Sequence, residues 1–269
     1  MTDQPNPYAI RGGVSGRERL RLLGRVMAPA TLALFDRLGV RDGMSCLDFG
    51  CGGGDASLAL ARRVAPSGRV IGIDNDPVTL EIARDEARAA GIDNVEYRAG
   101  DVLTFDPLAP FDVVYARFLL THLRDPDAAA RTFVGAVRPG GWFVVEDIDF
   151  SGHVTWPDCP AARRYVELYC AVVTRRGGDP NIGPRLPALL KDVGLEAIAV
   201  NVVQPAALDG EAKLVNPITM ENIADAVVHD GLATREEVEE IVRDLYAFAK
   251  DPTTLVTTAR IVQTWGRRT

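Results

Sequence analysis

The segment Ser45-Cys46-Leu47-Asp48-Phe49, continued by Gly50-Cys51-Gly52-Gly53-Gly54-Asp55, limits the fold of this chain more than any other. A short apolar run with one acidic residue near its end reads as a buried strand. The glycines after it permit a tight turn and let a ligand come close to the backbone. The alanine-rich stretch up to Ala65 then reads as a helix that Pro66 and Gly68 close.

Strand and helix go on alternating downstream. Val70 to Asp74 is a strand, Asp76-Pro77 opens a helix with aspartate as cap and proline as first helical residue, and Gly91 closes it. Val95 to Arg98 and Phe111 to Tyr115 are strands, Asp125-Pro126 repeats the helix start, and Trp142 to Ile148 follows Pro139-Gly140-Gly141 as a fifth strand. Pro187 to Val193 reads as helix, Glu196 to Val203 and Ala259 to Trp265 as strands. Parallel neighbours need a crossover, which is right-handed and usually helical. The expected fold is therefore α/β: a Rossmann-like, doubly wound, mostly parallel seven-stranded sheet with helical cap insertions.

Before the sheet, Leu20, Leu23, Val26 and Met27 recur at helical spacing, Ser15 and Glu18 have capping-box spacing, and Pro29 is expected to divide the stretch into two helices. Near the C-terminus, Val238, Ile241, Leu245 and Phe248 form a helical stripe capped by Thr234, with Glu237 at the box position, and suggest a lid. The expected organisation is a single domain over 1–269: an N-terminal helical cap (1–40), a core (41–150), and a remainder (151–269) with a cap insertion at about 205–255.

A length of 269 residues suits one large α/β domain, and 47% hydrophobic with 25% charged residues is an ordinary globular balance. The net charge of -7 argues against a nucleic-acid partner, which calls for clustered Lys and Arg. Arg163-Arg164 and Arg175-Arg176 read as solvated helix faces. Cys46, Cys51, Cys159 and Cys170 contain no C-x-x-C pair, the first residues lack an apolar leader, and no apolar run reaches membrane-spanning length. A cytoplasmic protein without membrane insertion is expected; a homodimer stays open.

Ligands of open α/β sheets bind beyond the carboxyl ends of the strands, where the winding reverses. A dinucleotide fingerprint would place Gly or Ala at the position held here by Asp55, and a carboxylate there opposes a phosphate but tolerates a sulfonium. Gly54 is not followed by the Lys-Ser/Thr pair of a P-loop. Asp74, roughly twenty residues after the loop, is placed to accept both hydroxyls of a ribose. For Asp74 and Asp101 the plain structural alternative is a turn-forming aspartate, and Asp106 and Asp112 are read that way.

Together, the loop from Leu47 to Asp55, Asp74, Gly100-Asp101-Val102 and Arg138-Pro139-Gly140-Gly141 resemble class I S-adenosylmethionine (SAM)-dependent methyltransferases across Ser45 to Val145. Within that group the pattern is most similar to the ubiquinone/menaquinone-biosynthesis-type branch and its small-molecule relatives. The resemblance implies SAM as cofactor: Gly50 and Gly52 against its methionine part, and Asp48 holding the site through hydrogen bonds from the loop. It also implies Asn75 beside the adenine, with Gly100, Asp101 and Val102 around the ring. Tyr8 and Arg11-Gly12-Gly13 resemble an aromatic and basic segment that folds over SAM, with Arg11 on the methionine carboxylate. The segment Tyr115 to His122, including Arg117, is expected to pass beneath the sulfonium.

That segment lacks the Asn/Asp-Pro-Pro-Tyr run of amino-methylating DNA enzymes and the Pro-Cys pair of RNA cytosine-5 enzymes; Cys159-Pro160 comes too late to replace it. The expected reaction is in-line methyl transfer to a small organic acceptor, which needs no metal. His122 is the candidate base, His153 could face the same cavity, and His229 is expected to be exposed. Glu146, Asp147 and Asp149 could suggest a divalent ion, but strand alternation separates Glu146 from the other two, so they are read as capping or substrate-facing carboxylates. Tyr165 and Tyr169, with Trp156 before them, are read as cap-to-sheet packing in preference to an aromatic acceptor pocket. The rival functions are an NAD-type oxidoreductase and a non-catalytic SAM-binding protein.

Overall fold

Strand β1 (Ser45–Phe49) sends Leu47 and Phe49 into one hydrophobic cluster and Cys46 into another. A strand that is apolar on both sides has to be covered twice, which is the condition met by a parallel sheet between two helix layers. The computed structural model describes residues 13–106 and 109–269. Helix α1 (Gly13–Arg37) precedes β1; α2 (Asp55–Val64), β2 (Arg69–Asp74), α3 (Pro77–Ala89), β3 (Val95–Ala99), β4 (Phe111–Arg117), α4 (Pro126–Gly135) and β5 (Val137–Asp149) follow. The chain continues through β6 (Thr155–Trp156), α5 (Pro160–Arg175), α6 (Leu186–Asp192), β7 (Glu196–Val203) and β8 (Ala206–Ala207). It ends with α7 (Val215–His229), α8 (Arg235–Lys250), β9 (Leu255–Thr257) and β10 (Arg260–Arg267).

The seven-stranded sheet has the order β3-β2-β1-β4-β5-β10-β7, with β10 antiparallel to both of its neighbours and the other pairs parallel. The winding reverses at β1, which lies between β2 and β4, so a cleft opens above the carboxyl ends of these strands. On one face, Phe133 of α4 stacks on Phe49 at 4.2 Å and meets Phe143 at 5.9 Å, with Leu186 and Leu189 of α6 beside them. On the other, Phe35 of α1 meets Tyr115 edge-on at 5.2 Å among Leu60 and Val64 of α2. The doubly wound sheet expected from the alternation is the one observed.

Local signals place several helix starts. Asp76 accepts from the Val78 and Thr79 amides, Asp125 from Ala128, and Thr234 from Glu237, each at the head of its helix. Pro29, expected to divide the N-terminal helix, instead lies inside an unbroken α1, which is described from Gly13 and so starts ahead of Ser15. Proline removes one helical hydrogen bond, but Met27 before it is buried in the cap cluster and Leu34 and Phe35 after it in the sheet cluster, so packing on both sides carries the axis through.

The cap reaches beyond the expected 205–255 insertion. Helix α5 packs on α7 and α8, α1 packs on α7, and a small sheet β6-β9-β8 closes the side. Its strands are two or three residues long, too short to show a period in the sequence. Among the described residues no helix is long and apolar enough to cross a membrane.

Candidate active site

The turn after β1 depends on glycine at two positions. Gly54 has φ +83°, and a Cβ there would overlap the Tyr97 hydroxyl; Gly50 has φ +67°, and a Cβ there would sit 2.9 Å from Leu119 Cδ1. The turn is tied to its neighbour strand by the Cys51 amide, which donates to the Ile73 carbonyl at 3.0 Å. Asp74 completes the tie: one carboxylate oxygen accepts the Gly52 amide at 2.9 Å and the other the Asp76 amide at 3.0 Å. Burial raises the Asp74 pKa against these hydrogen bonds.

Asp48 is 1% exposed and accepts the Ser57 hydroxyl at 2.6 Å; burial pushes its pKa up to about 7. The hydrogen bond thus comes from the first turns of α2 and not, as expected, from the glycine loop. The pleat explains this: Asp48 faces opposite to Leu47 and Phe49, toward the side α2 covers.

A cavity of about 720 Å³ opens above these strand ends. Asp48, Gly50, Gly52, Asp74 and Asn75 line one end, with Asp101 and Val102 alongside. Asp101 also accepts the Leu103 amide at 2.9 Å, so it forms the turn and lines the cavity at once. Gly100 is not among the lining residues; its amide donates to the Asp74 carbonyl at 3.0 Å, fixing β3 to β2. Gly13 is the first described residue of α1, and Tyr8 and Arg11 lie outside the described residues.

Arg117 lines the cavity from the end of β4. It shares the face of β4 that carries Tyr115, and there it ion-pairs with Asp55, donates to the Thr31 hydroxyl at 3.4 Å and lies 5.6 Å over the Phe118 ring. Burial works most strongly against the Arg117 charge, but Asp55, Tyr115 and Glu146 together outweigh it and the guanidinium's pKa rises. The Asp55 charge is thereby neutralised by its partner, which corrects the reading of Asp55 as the group that repels a diphosphate. The acidic character of this wall rests on Asp74 and Asp101, with Asp48 beneath them.

Phe118 follows with φ 53°, a conformation that side chains seldom adopt, and turns the chain into the single turn Leu120–His122. His122 lines the cavity from this turn. Burial, and then the nearby charges of Arg19 and Arg176, lower its pKa to about 4, so the imidazole is neutral near pH 7 and does not titrate there as expected. His153 is not a lining residue; its Nε2 meets the Asn216 amide nitrogen at 2.9 Å, and Asn216 lines the cavity instead. His229 is exposed, as expected.

The other candidates resolve by their partners. Glu146 accepts from the Thr31 hydroxyl at 2.8 Å, the Tyr115 hydroxyl at 2.5 Å and the Gln263 amide at 2.7 Å, on the α1 side of the sheet. Asp147 accepts the Thr121 and Ile148 amides, and Asp149 binds Arg260 and the Ser151 amide, so alternation separates Glu146 from the other two and each carboxylate has its own partners. Asp112 is structural, accepting Ser45 and Arg138. Arg163 and Arg164 pair with Asp158 and Glu237 as solvated side chains do. Arg176 departs from that expectation, with Nη1 buried and without a hydrogen-bond partner.

The far end of the cavity belongs to the cap. Phe150, Tyr165 and Tyr169 line it, together with Thr219 of α7 and Ile261 of β10; both tyrosines are almost fully buried, so they pack and line at the same time. Arg19 of α1 also lines this space and was not anticipated. Its signal is present but weak: Arg19 stands four residues before Leu23, a charge set on the apolar stripe that also holds Met27.

Comparison with known proteins agrees with this geometry. Residues 40–174, half of the chain, match the family described as a methyltransferase domain. Methyltransferase GfsG of Streptomyces halstedii is 31% identical over 202 residues, 74% of this chain and 66% of that relative. The ubiquinone biosynthesis O-methyltransferase of Leptothrix cholodnii is 37% identical over 114 residues, 42% of this chain and 47% of the relative. The chain spans about half to two thirds of the length of the curated relatives it matches. Among solved structures, the cyclase SpnF shares the fold with a TM-score of 0.55 at 22% identity, covering 89% of this chain and 81% of that one. A glycine loop and Asp74 at a sheet switch point, within a segment that matches the family throughout, lead to one conclusion: the chain belongs to the methyltransferase-domain family and has the class I SAM-dependent methyltransferase fold.

Proposed function

We propose that this chain, acting as a single domain, transfers a methyl group from SAM to a small organic acceptor in the cytoplasm. One observation carries the reading: a single cavity joins an acidic, glycine-rimmed wall at the strand ends to an apolar and aromatic chamber under the cap. The residues fit the cofactor. The Asp74 carboxylate accepts the Gly52, Asp76 and Asn75 amides, and a carboxylate with about four acceptor positions keeps room for a ribose hydroxyl. That Asn75, Asp101 and Val102 line the cavity supports reading them as the adenine contacts, and the glycines Gly50 and Gly52 in the same lining support a close approach by the methionine part. When bound, SAM supplies a methyl group on a sulfonium whose positive charge suits this wall.

The chain's own residues orient the partners and keep water out, as an in-line displacement at carbon requires. Phe118 and Arg117 line the same cavity. His122, neutral at working pH, accepts the proton that a hydroxyl acceptor releases. Four unpaired cysteines support a reducing compartment, and the net charge of -7 supports a small-molecule acceptor over nucleic acid.

Calorimetry with SAM, S-adenosylhomocysteine (SAH) and NAD tests the cofactor. Binding of SAM and SAH without NAD is expected; NAD alone producing heat would replace the reading with an oxidoreductase. Transfer is tested with methyl-labelled SAM and a metabolite extract. SAH formation with a labelled product is expected, and SAM binding without it would favour a non-catalytic SAM-binding protein.

A further inference from the structure

Arg19 is a cation in the cavity with no ion-pair partner among the described residues. Its Nε donates to the Thr219 hydroxyl at 3.2 Å, and among the described residues no carboxylate forms an ion pair with it. Its electrostatic neighbours are the phenols of Tyr169 and Tyr165. Arg19 is half-buried, and its guanidinium gains only a hydroxyl in return for the water it loses. The two terminal nitrogens of the fork, which make no hydrogen bond among the described residues, are the pair that recognises a carboxylate in bidentate fashion. Burial accordingly pulls the Arg19 pKa down, where a paired arginine such as Arg117 is raised.

The surroundings of Arg19 belong to the cap. Thr219 is on α7, Tyr165 and Tyr169 are on α5, and Tyr169 stacks on Phe150 at 4.2 Å. Asp74 and Asp101, which mark the strand-end wall, are not among the charges that act on it. A second guanidinium, Arg176, lies behind the lining and acts on His122 together with Arg19, and Arg19 is the cation that lines this chamber where the opposite wall carries Asp74 and Asp101.

Resting on the methyltransferase reading, we propose that Arg19 is the anion-recognition residue of the acceptor chamber, and that the acceptor is a planar organic molecule bearing a carboxylate-type anion. The aromatic walls take its plane, Arg19 takes its charge, and the acidic wall opposite disfavours the reversed orientation. The same fork could in principle meet the carboxylate of SAM itself, and the test separates the two sources.

Benzoate and its neutral counterpart benzamide are titrated into SAH-saturated full-length protein, followed by ligand-observed NMR, and in parallel into protein without SAH. Wild type is expected to bind benzoate about tenfold or more tightly than benzamide. Arg19→Gln should erase that preference and Arg19→Lys retain most of it, with SAH affinity in both within about threefold of wild type. Equal binding of the two probes by wild type, or a preference that survives Arg19→Gln, overturns the proposal. So does a loss of SAH affinity of about tenfold in Arg19→Gln, which would give the fork to the cofactor. If Arg19→Gln does not fold, the wild-type comparison and Arg19→Lys decide. Failure of wild type to bind SAH removes the methyltransferase reading instead, while the titration without SAH still judges Arg19.

Discussion

One wall of the cavity is made of residues at the carboxyl ends of strands: Asp48 near the end of β1, Asp74 at the end of β2, Asp101 just after β3. The opposite wall takes Arg19 from α1, Tyr165 and Tyr169 from α5, and Thr219 from α7, positions 200 residues apart at the extreme. The strand-end wall is acidic and held by backbone hydrogen bonds, whereas the cap wall is aromatic, carries a guanidinium without an ion-pair partner among the described residues and is held by side-chain packing. The first kind of wall suits a ligand common to a whole family, because a backbone tie tolerates changes in side chains. The second suits a ligand peculiar to one chain, because every contact in it can be exchanged by substitution.

The experiments that press hardest on this division begin at His122, which stands between the walls. His122→Gln should lower turnover about 100-fold while SAH affinity stays within about twofold, measured by steady-state kinetics and calorimetry. Equal losses in both would move His122 to the cofactor wall. Because its pKa is lowered to about 4, wild-type activity should show no inflection from this imidazole near pH 6.5.

Asp74→Ala strikes the strand-end wall itself. It removes a charge-assisted acceptor and the tie to Gly52, and SAH affinity should fall roughly 30-fold, about 2 kcal/mol. An unchanged affinity would mean that the cofactor does not use the strand ends.

Asp48→Asn sharpens the contrast through pH. The folded-state pKa of Asp48 is raised from 3.8 to about 7, so the native protein holds this proton more tightly than the unfolded chain. Its contribution to stability is therefore intact below about pH 4, falls as pH rises toward 7, and remains a cost above that. Asparagine keeps an acceptor for Ser57 and cannot ionise, so Asp48→Asn should be more stable than wild type by a few kcal/mol at pH 8, with the gap closing near pH 4. Thermal melts at the two pH values measure it; a pH-independent difference would show that the carboxylate is not the source.

Thr234→Ala probes the outer cap. Loss of the α8 cap should cost about 1 kcal/mol in urea unfolding and leave SAH affinity unchanged, since α8 supports α5 and α7 from behind the cavity. A fall in SAH affinity would mean that the walls are coupled.

The contrast between the walls also governs what could be read from residues alone. Asp76-Pro77, Asp125-Pro126 and Thr234 with Glu237 announce helix starts because capping is settled within a few residues. The strands from Ser45 to Phe49 and from Glu196 to Val203 coincide with their apolar and β-branched runs. Pro29 misled because its local effect was weighed without the packing that holds α1 on both sides. Asp55 misled because Arg117, its partner, lies 62 residues away.

Sequence alone determined the doubly wound sheet, its glycine turn and the acidic strand ends, because periodicity, caps and turn residues act between near neighbours. Tertiary structure decided which charges neutralise each other, that Asp48 holds α2, that His122 is neutral and that Arg19 faces a chamber of aromatic rings. Those outcomes depend on distance and burial between segments brought together only when α1, α5 and α7 close over the sheet, and Coulomb and desolvation energies are set by that closure and by nothing local.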